Sequence, residues 1–211
     1  MRGALAGLIT LAALSLLAAT PVTAQQALPV PPVTVADRVL GDAEAPVTVI
    51  VYASFTCPHC ADFHQTALVP IKARFIDTGR ARLVYRDLPT GPQALSEPAA
   101  KLARRAAPEA YYTVADTLCA GQDAVLQGGD PNAWLSAAVR VAGRPAQEML
   151  TCLYAPETDA ALDTMVEAGW TAGVRGTPTV IVGGVSVPPT TEALSAAIEV
   201  ALARRPVAGT P

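Results

Sequence analysis

The sequence has 211 residues, of which 51% are hydrophobic, and its 18 acidic residues outnumber 15 basic ones to give a formal net charge of −3. Its lysines and arginines are scattered, without the dense basic patch that nucleic-acid-binding proteins present to phosphate groups. We therefore expect no nucleic-acid partner. The chain is long enough to fold around a sizeable hydrophobic core.

The N-terminus has the pattern of a secretory signal peptide. A short positive start at Met1–Arg2 precedes an apolar run over residues 4–19, and the segment ends in small residues at Ala24. This pattern predicts a signal peptide over residues 1–24 that is cleaved after Ala24. An uncleaved membrane anchor is the alternative, although the run is shorter than the roughly 20 apolar residues of a spanning helix. The sequence thus predicts an exported protein, in a compartment that favours disulfides.

The first part of the mature chain is predicted to alternate strands with one helix. Residues 25–40 are rich in proline and predict an extended arm, with a short edge strand within Thr34–Leu40. The β-branched run over residues 47–53 predicts a buried strand, and apolar residues at helical spacing follow from Ala61 to Ile76. A second strand is predicted over Ala81–Leu88. Strand, helix and strand in this order form a βαβ unit, whose strands run parallel.

The chain changes character between residues 91 and 170, where helix-length segments rich in Ala, Leu and Glu replace strands. Prolines suit the starts of these segments and glycines their ends. The predicted helices cover about residues 95–106, 109–119, 131–142, 145–154 and 157–171. Two antiparallel strands over Thr179–Val182 and Val185–Val187 and a last helix over about 192–203 then restore α/β character.

The motif Cys57-Pro58-His59-Cys60 stands where the strand of residues 47–53 leads into a helix. Unpaired backbone N–H groups and the helix dipole stabilise a thiolate at such a helix N-terminus. Cys57 is therefore expected to be the exposed nucleophile of low pKa, and Cys60, one turn deeper, the resolving thiol. Pro58 presets the first helical turn, and a protonated or hydrogen-bonding His59 stabilises the thiolate further. Half of a zinc site is the alternative, but a second Cys-x-x-Cys is absent.

Two further cysteines lie in the helical block. Four cysteines can pair in three ways, and a local Cys57–Cys60 bridge leaves Cys119 and Cys152 to each other. A structural disulfide between them would close a loop of about 33 residues and stabilise the fold by roughly 3–4 kcal/mol on the chain-entropy model. Two other interpretations stay open: two free buried thiols, or a second redox pair that tunes the first.

Together, the Cys-Pro-His-Cys motif, the export signal, the helical block and the segment Gly176-Thr177-Pro178 resemble the DsbA-like thiol–disulfide oxidoreductases of the Gram-negative periplasm. The resemblance covers about residues 41–203. It implies an α/β architecture, a thioredoxin fold with an inserted helical domain. Residues 41–90 and 171–211 would form the thioredoxin-like domain and residues 91–170 the insertion.

The same resemblance implies a function. The Cys57–Cys60 disulfide would be donated to newly exported, unfolded polypeptides with free cysteines, and a quinone-linked membrane oxidase of the DsbB type would restore it. A cis Thr177–Pro178 bond would lie beside the disulfide, where backbone groups of Thr177 pair with an extended client segment. A second, non-catalytic disulfide, here Cys119 with Cys152, occurs in some alphaproteobacterial members. We expect a periplasmic monomer without a cofactor or a bound metal.

Two other functions use the same residues. A disulfide reductase or isomerase would differ only in redox potential. A copper-binding protein of the same fold would use Cys57, Cys60 and a histidine, and His64 lies on about the same helix face as Cys57.

The resemblance also implies a buried acidic residue in the strand before the motif. In this chain the strand has Val49, Ile50 and Val51 and no acidic residue. Asp62 and Glu44 are the candidates to take its place.

Overall fold

The computed structural model describes residues 27–153 and 155–204, except for the side chain of Cys152. The predicted signal peptide and its cleavage site at Ala24 lie outside the described residues. The described chain is built on a five-stranded sheet in the order β1-β3-β2-β4-β5. The strands are Arg38–Leu40 (β1), Val47–Ala53 (β2), Ala81–Asp87 (β3), Thr179–Val182 (β4) and Val185–Val187 (β5).

The centre of the sheet is the parallel pair β2 and β3. Their register runs from Val47 opposite Ala81 to Ala53 opposite Asp87, which confirms the predicted βαβ unit. The other neighbouring strands pair antiparallel. Because parallel strands end at the same edge of a sheet, the segments that follow Ala53 and Asp87 emerge side by side. The Cys57–Cys60 motif therefore starts next to the loop that leads into the helical block.

Helices cover the sheet and form the block between β3 and β4. They are Pro58–Asp62 (α1), Leu68–Ile71 (α2), Gln93–Arg105 (α3), Tyr111–Leu126 (α4), Pro131–Arg140 (α5), Ala146–Leu153 (α6), Pro156–Thr171 (α7) and Thr191–Ala203 (α8). The helices α3 to α7 confirm the predicted helical content of this stretch. Within the described part of the chain, no helix has the length and apolar character needed to cross a bilayer.

The helix α4 extends beyond its predicted end at residue 119. The sequence favours a break at Gly121, but this glycine lies inside α4. A Cβ at this position would lie 2.7 Å from Cδ1 of Trp134 on α5. The glycine is therefore explained by the close approach of α5, which the sequence of α4 alone does not reveal.

The helix that carries the motif is less regular than predicted. It runs from Pro58 to Ile76, but two segments, Phe63–Ala67 and Lys72–Ile76, have the wider π-helical turns. Between them lies Pro70, which has no N–H to donate to the carbonyl group four residues earlier and whose ring crowds that carbonyl. Wider turns on both sides accommodate the proline without ending the helix.

The N-terminal arm packs against the sheet. Leu28 is buried, and its N–H donates to the carbonyl of Gly184 at 2.9 Å. Asp37 accepts two hydrogen bonds from the buried guanidinium of Arg86, at 2.9 and 3.0 Å. The predicted edge strand is confirmed as β1, but the arm is tied to the fold more firmly than its proline-rich sequence predicts.

Side chains of alternate residues along β2 enter two hydrophobic cores. Val49 and Val51 point into the large core shared with the helical block, whereas Ile50 and Tyr52 point into a smaller core on the opposite face. This alternation follows from the two-residue period of a strand. Both faces of β2 are therefore covered, which explains its continuous apolar sequence.

Candidate active site

Cys57 lies at the N-cap position of α1, with extended backbone angles (φ −88°, ψ 115°), and Pro58 starts the helix. The carbonyl of Cys57 accepts from the N–H groups of Cys60 and Ala61, at 2.9 and 3.2 Å. The first turn of the helix is therefore closed directly behind the cysteine. The predicted position of the dithiol, between a strand and a helix N-terminus, is confirmed.

The two thiols of the motif differ sharply in environment. Cys57 is partly exposed, whereas Cys60 is 1% exposed and its sulfur accepts a hydrogen bond from the backbone N–H of Ser54 at 3.5 Å. Both are free thiols in the structure, which therefore shows the reduced state of the motif. Only Cys57 is accessible to another molecule.

Hydrogen bonds separate the acidities of the two thiols. A hydrogen bond from the Cys60 side chain lowers the pKa of Cys57 to about 5, with further contributions from Thr177 and the backbone N–H groups of Cys60 and His59, while partial burial opposes the shift. The pKa of Cys60 is raised far above its usual range, because the bond to Cys57 retains its proton and because burial disfavours a thiolate. Cys57 is therefore a thiolate at neutral pH and Cys60 a thiol.

The segment Thr177–Pro178 lies against the nucleophile. Tyr52 of β2 is opposite Thr179 of β4 in an antiparallel register, so the residues before Thr179 pass beside the loop that follows β2. Sγ of Cys57 lies 3.3 Å from the carbonyl oxygen of Thr177, to which the protonated thiol donates, and the Thr177–Pro178 peptide bond is cis, as expected. The structure thus joins two motifs that are far apart in the sequence.

Comparison with known proteins places this geometry in a family. A sequence model of the Thioredoxin family matches residues 33–200, which is most of the chain. The chain belongs to the thioredoxin family.

The relatives of this chain include proteins named as protein-disulfide oxidoreductases. One from Rickettsia prowazekii is 32% identical over 152 residues. The aligned region covers 71% of this chain and 55% of that protein. A Rickettsia felis protein of the same description is 30% identical over 154 residues, covering 71% and 54%. The chain thus spans about half the length of these relatives.

Solved structures of DsbA type share the fold of this thioredoxin-family protein. Oxidised BdbD from Bacillus subtilis superposes with a TM-score of 0.75 at 20% identity, covering 84% of this chain and 98% of that one. Wolbachia pipientis alpha-DsbA1 superposes with a TM-score of 0.70 at 20% identity, covering 80% and 92%. The predicted fold class, an α/β thioredoxin fold that carries additional helices, is confirmed.

His59 contributes to the thioredoxin-family site through its backbone N–H, which is directed at the Cys57 sulfur. Its side chain is exposed, and so is Pro58. A stabilising role for the His59 imidazole stays a prediction. The contribution of Pro58 is its position at the start of α1.

His64 does not join the dithiol. It is buried, and its Nε2 lies 2.5 Å from Oδ1 of Asp116 on α4. Among the described residues, no three His, Cys, Asp or Glu side chains are grouped as a metal site would require. The structure therefore assigns His64 a contact with the helical block.

Cys119 is buried in α4 and forms no disulfide with a cysteine whose side chain the structure describes, and burial raises the pKa of its thiol to about 12. The side chain of Cys152 in α6 lies outside the described residues. The proposed Cys119–Cys152 disulfide stays a prediction.

Neither Asp62 nor Glu44 supplies a buried acid, because both are exposed. The buried carboxyl group in this part of the fold is Asp87, at the end of β3 opposite Ala53. Burial raises the pKa of Asp87, although Arg104 lies 3.1 Å away and opposes the shift. Asp87 ends the strand that follows the motif, and no local pattern in the sequence marks its carboxyl group as buried beside the motif's strand.

Two sets of polar contacts around the motif were also missed. Ser54 and Thr56 form a buried hydroxyl pair at 3.1 Å, and they bond the backbone of Thr90 in the loop after β3. On the other side, Gln122 of α4 reaches two backbone carbonyls of the active-site loop. No local sequence signal marks these residues, since each is recognisable only from its distant partner.

Proposed function

We propose that the chain is a periplasmic thiol–disulfide oxidoreductase that donates a Cys57–Cys60 disulfide to newly exported proteins. The observation that carries the proposal is the asymmetry of the dithiol, an accessible thiolate beside a buried thiol that retains its proton. Stabilisation of the Cys57 thiolate favours the reduced form over the disulfide, which makes the disulfide a stronger oxidant. The names of the Rickettsia relatives are consistent with this activity.

In the proposed reaction, a client thiolate attacks Sγ of Cys57 in the oxidised protein. The Cys57–Cys60 bond breaks, a client–Cys57 disulfide forms, and the Cys60 sulfur leaves and takes up a proton. A second client thiolate then attacks the client sulfur, and Cys57 leaves as a thiolate. The client loses two electrons to the dithiol, and its two cysteines become joined.

Thr177 and Pro178 are proposed to bind the client. The backbone carbonyl of Thr177 lies 3.3 Å from the Cys57 sulfur, which is the site of attack. An extended client segment would pair with this backbone as an additional strand, which needs little side-chain specificity. Such binding suits unfolded polypeptides of varied sequence.

The proposal includes two partners and a location. The clients would be unfolded exported polypeptides with free cysteines, and a quinone-linked membrane oxidase of the DsbB type would reoxidise the dithiol. The basis for the periplasm is the signal-peptide pattern of residues 1–24. Cell fractionation together with N-terminal sequencing tests it: a periplasmic protein that starts after Ala24 is expected, and a cytosolic protein that retains Met1 contradicts it.

The direction of electron transfer is tested by the equilibrium of the Cys57–Cys60 disulfide with glutathione. The measurement uses thiol trapping on the wild type and on a Cys119→Ala/Cys152→Ala variant, so that only the active pair reacts in the latter. Reference potentials are about −120 mV for DsbA and about −270 mV for thioredoxin. We expect a potential at or above about −150 mV. A value of about −250 mV or lower would overturn the oxidase proposal and leave a reductase.

A further inference from the structure

Gln122 of α4 links the helical block to the active-site loop. The residue is 0% exposed. Its side-chain Nε2 donates to the carbonyl of Phe55 at 2.7 Å and to the carbonyl of Cys57 at 3.1 Å. Both hydrogens of one amide group are thus used on the short segment between β2 and α1.

The oxygen of this amide has no partner among the described residues. Oε1 of Gln122 is buried and accepts no hydrogen bond from the described residues. The orientation of the amide is nevertheless defined, because the reverse orientation would place Oε1 against two carbonyl oxygens.

The Cys57 carbonyl is the atom through which this contact reaches the nucleophile. It also accepts the N–H groups of Cys60 and Ala61, so it fixes the first turn of α1. The backbone N–H groups that point at the Cys57 sulfur, from His59 and Cys60, belong to that turn. A carbonyl held from outside the helix keeps these groups directed at the sulfur.

We propose that Gln122 is a positioning residue for the nucleophile: its amide holds the carbonyls of Phe55 and Cys57 so that the first turn of α1 stabilises the Cys57 thiolate. The inference rests on the thiol–disulfide chemistry proposed above, and it names the helical block as the part of the fold that adjusts this chemistry. The contacts of Ser54 and Thr56 with Thr90 hold the same loop. The loop is therefore held by two separate segments of the fold.

The test compares two variants that each lose a buried side-chain bond to a backbone carbonyl. Gln122→Met keeps the length of the side chain and removes both donors. Trp134→Phe is the matched control. Nε1 of Trp134 donates to the carbonyl of Leu118 at 2.9 Å, and Leu118 belongs to α4, as Gln122 does, and not to the loop before α1. For each protein, the Cys57 pKa is measured from thiolate absorbance, the glutathione equilibrium from thiol trapping, and the stability from urea unfolding.

We expect both variants to be less stable than the wild type, but only Gln122→Met to raise the Cys57 pKa. Its glutathione equilibrium is expected to shift about tenfold toward the disulfide, the size of effect that one or two lost hydrogen bonds produce. If Gln122→Met matches Trp134→Phe in pKa and equilibrium, Gln122 only stabilises the fold and the proposal is wrong.

A second variant covers a failure of Gln122→Met to fold. Gln122→Glu keeps the shape, and a buried, protonated carboxyl group still offers one donor. In Gln122→Glu we expect the Cys57 pKa and the glutathione equilibrium to lie between those of the wild type and Gln122→Met. A Cys57 pKa and an equilibrium equal to those of the wild type would overturn the proposal. A wild-type reduction potential near that of thioredoxin would reject the oxidase function but not the role of Gln122. That role is judged by the difference between the variants and the wild type, which does not depend on the value of the wild-type potential.

Discussion

At the scale of single residues, the two sulfurs of the motif differ because one helical turn separates them. Cys57 is the N-cap residue of α1 and is partly exposed, whereas Cys60 is buried in the hydrophobic core. The same bond between them lowers one pKa and raises the other. Each cysteine therefore depends on the other for its chemical role.

Replacement of the resolving thiol tests this dependence. In Cys60→Ala, the largest contribution to the low pKa of Cys57 is lost, so we expect this pKa to rise and client oxidation to cease. The remaining Cys57 thiolate still attacks a client that carries a disulfide, which breaks that bond, releases one client thiolate and forms a client–Cys57 disulfide. This mixed disulfide should persist longer than in the wild type, where the Cys60 thiol attacks Cys57 and releases the client. Thiolate absorbance and mass spectrometry measure both effects. Cys119→Ala is the control, and a Cys60→Ala protein with an unchanged Cys57 pKa would contradict the assignment.

The low pKa of Cys57 also makes the stability of the reduced protein depend on pH. Because the folded state lowers this pKa to about 5, from about 8.5 in an unfolded chain, the unfolded state binds more protons between these values. The free energy of unfolding should therefore rise with pH across this window and lose the contribution below about pH 5. Urea unfolding of the reduced wild type and of reduced Cys57→Ser is measured across this pH range. The difference between the two pH profiles is the contribution of Cys57, because the other titrating groups are common to both proteins. Parallel pH profiles for the two proteins would contradict the low pKa.

At the scale of elements, the helical block depends on close contact between α4 and α5. Gly121 permits Trp134 to lie against α4, where the indole is buried and bonds the carbonyl of Leu118. A glycine inside a helix is unfavourable by about 1 kcal/mol relative to alanine. The contact between the helices compensates for this local cost.

The substitution Gly121→Ala tests whether packing or helix propensity dominates. Its new Cβ would lie 2.7 Å from Cδ1 of Trp134, and overpacking of this kind costs about 1–3 kcal/mol. We expect a net loss of about 1 kcal/mol in the free energy of unfolding, despite the better helix propensity of alanine. Gly176→Ala is the control, because nothing lies within 4 Å of an added Cβ there. An increase in stability for Gly121→Ala would show that the indole moves aside easily.

At the scale of the whole molecule, the N-terminal arm is joined to the sheet by a buried ion pair. Arg86 donates to both carboxylate oxygens of Asp37, and further to the hydroxyl of Tyr52 and the carbonyl of Pro32. Burial alone would raise the pKa of Asp37, but the hydrogen bonds and charge of Arg86 lower it overall. The arm is therefore part of the folded domain.

Asp37→Ala leaves the buried guanidinium of Arg86 without its counter-charge, and we expect a loss of about 3–5 kcal/mol in the free energy of unfolding. Replacement of both residues, as Asp37→Leu/Arg86→Met, should recover part of this loss. Arg74→Ala is the control for an exposed pair, since Arg74 contacts Glu199 at the surface and such pairs contribute about 0–1 kcal/mol. Urea unfolding measures all three, and equal losses for Asp37→Ala and Arg74→Ala would contradict a buried pair.

Much of the fold and the centre of the site can be predicted from the amino-acid sequence. Period-two and helical patterns located the parallel strand pair, the terminal hairpin and the helical block, because hydrophobic spacing records which face each element buries. The motif at a strand-to-helix junction pointed to Cys57 as the accessible thiol of low pKa and to Cys60 as the buried one, since the chemistry of a helix N-terminus is local.

The contacts between distant segments are visible only in the folded structure. The glycine inside α4 is explained by Trp134, the attachment of the arm by Arg86, and the support of the loop before α1 by Gln122. In each case the partner lies on another element, and its distance along the chain leaves no periodic or local trace. The identities of single residues are set by packing and hydrogen bonds that exist only once the chain has folded.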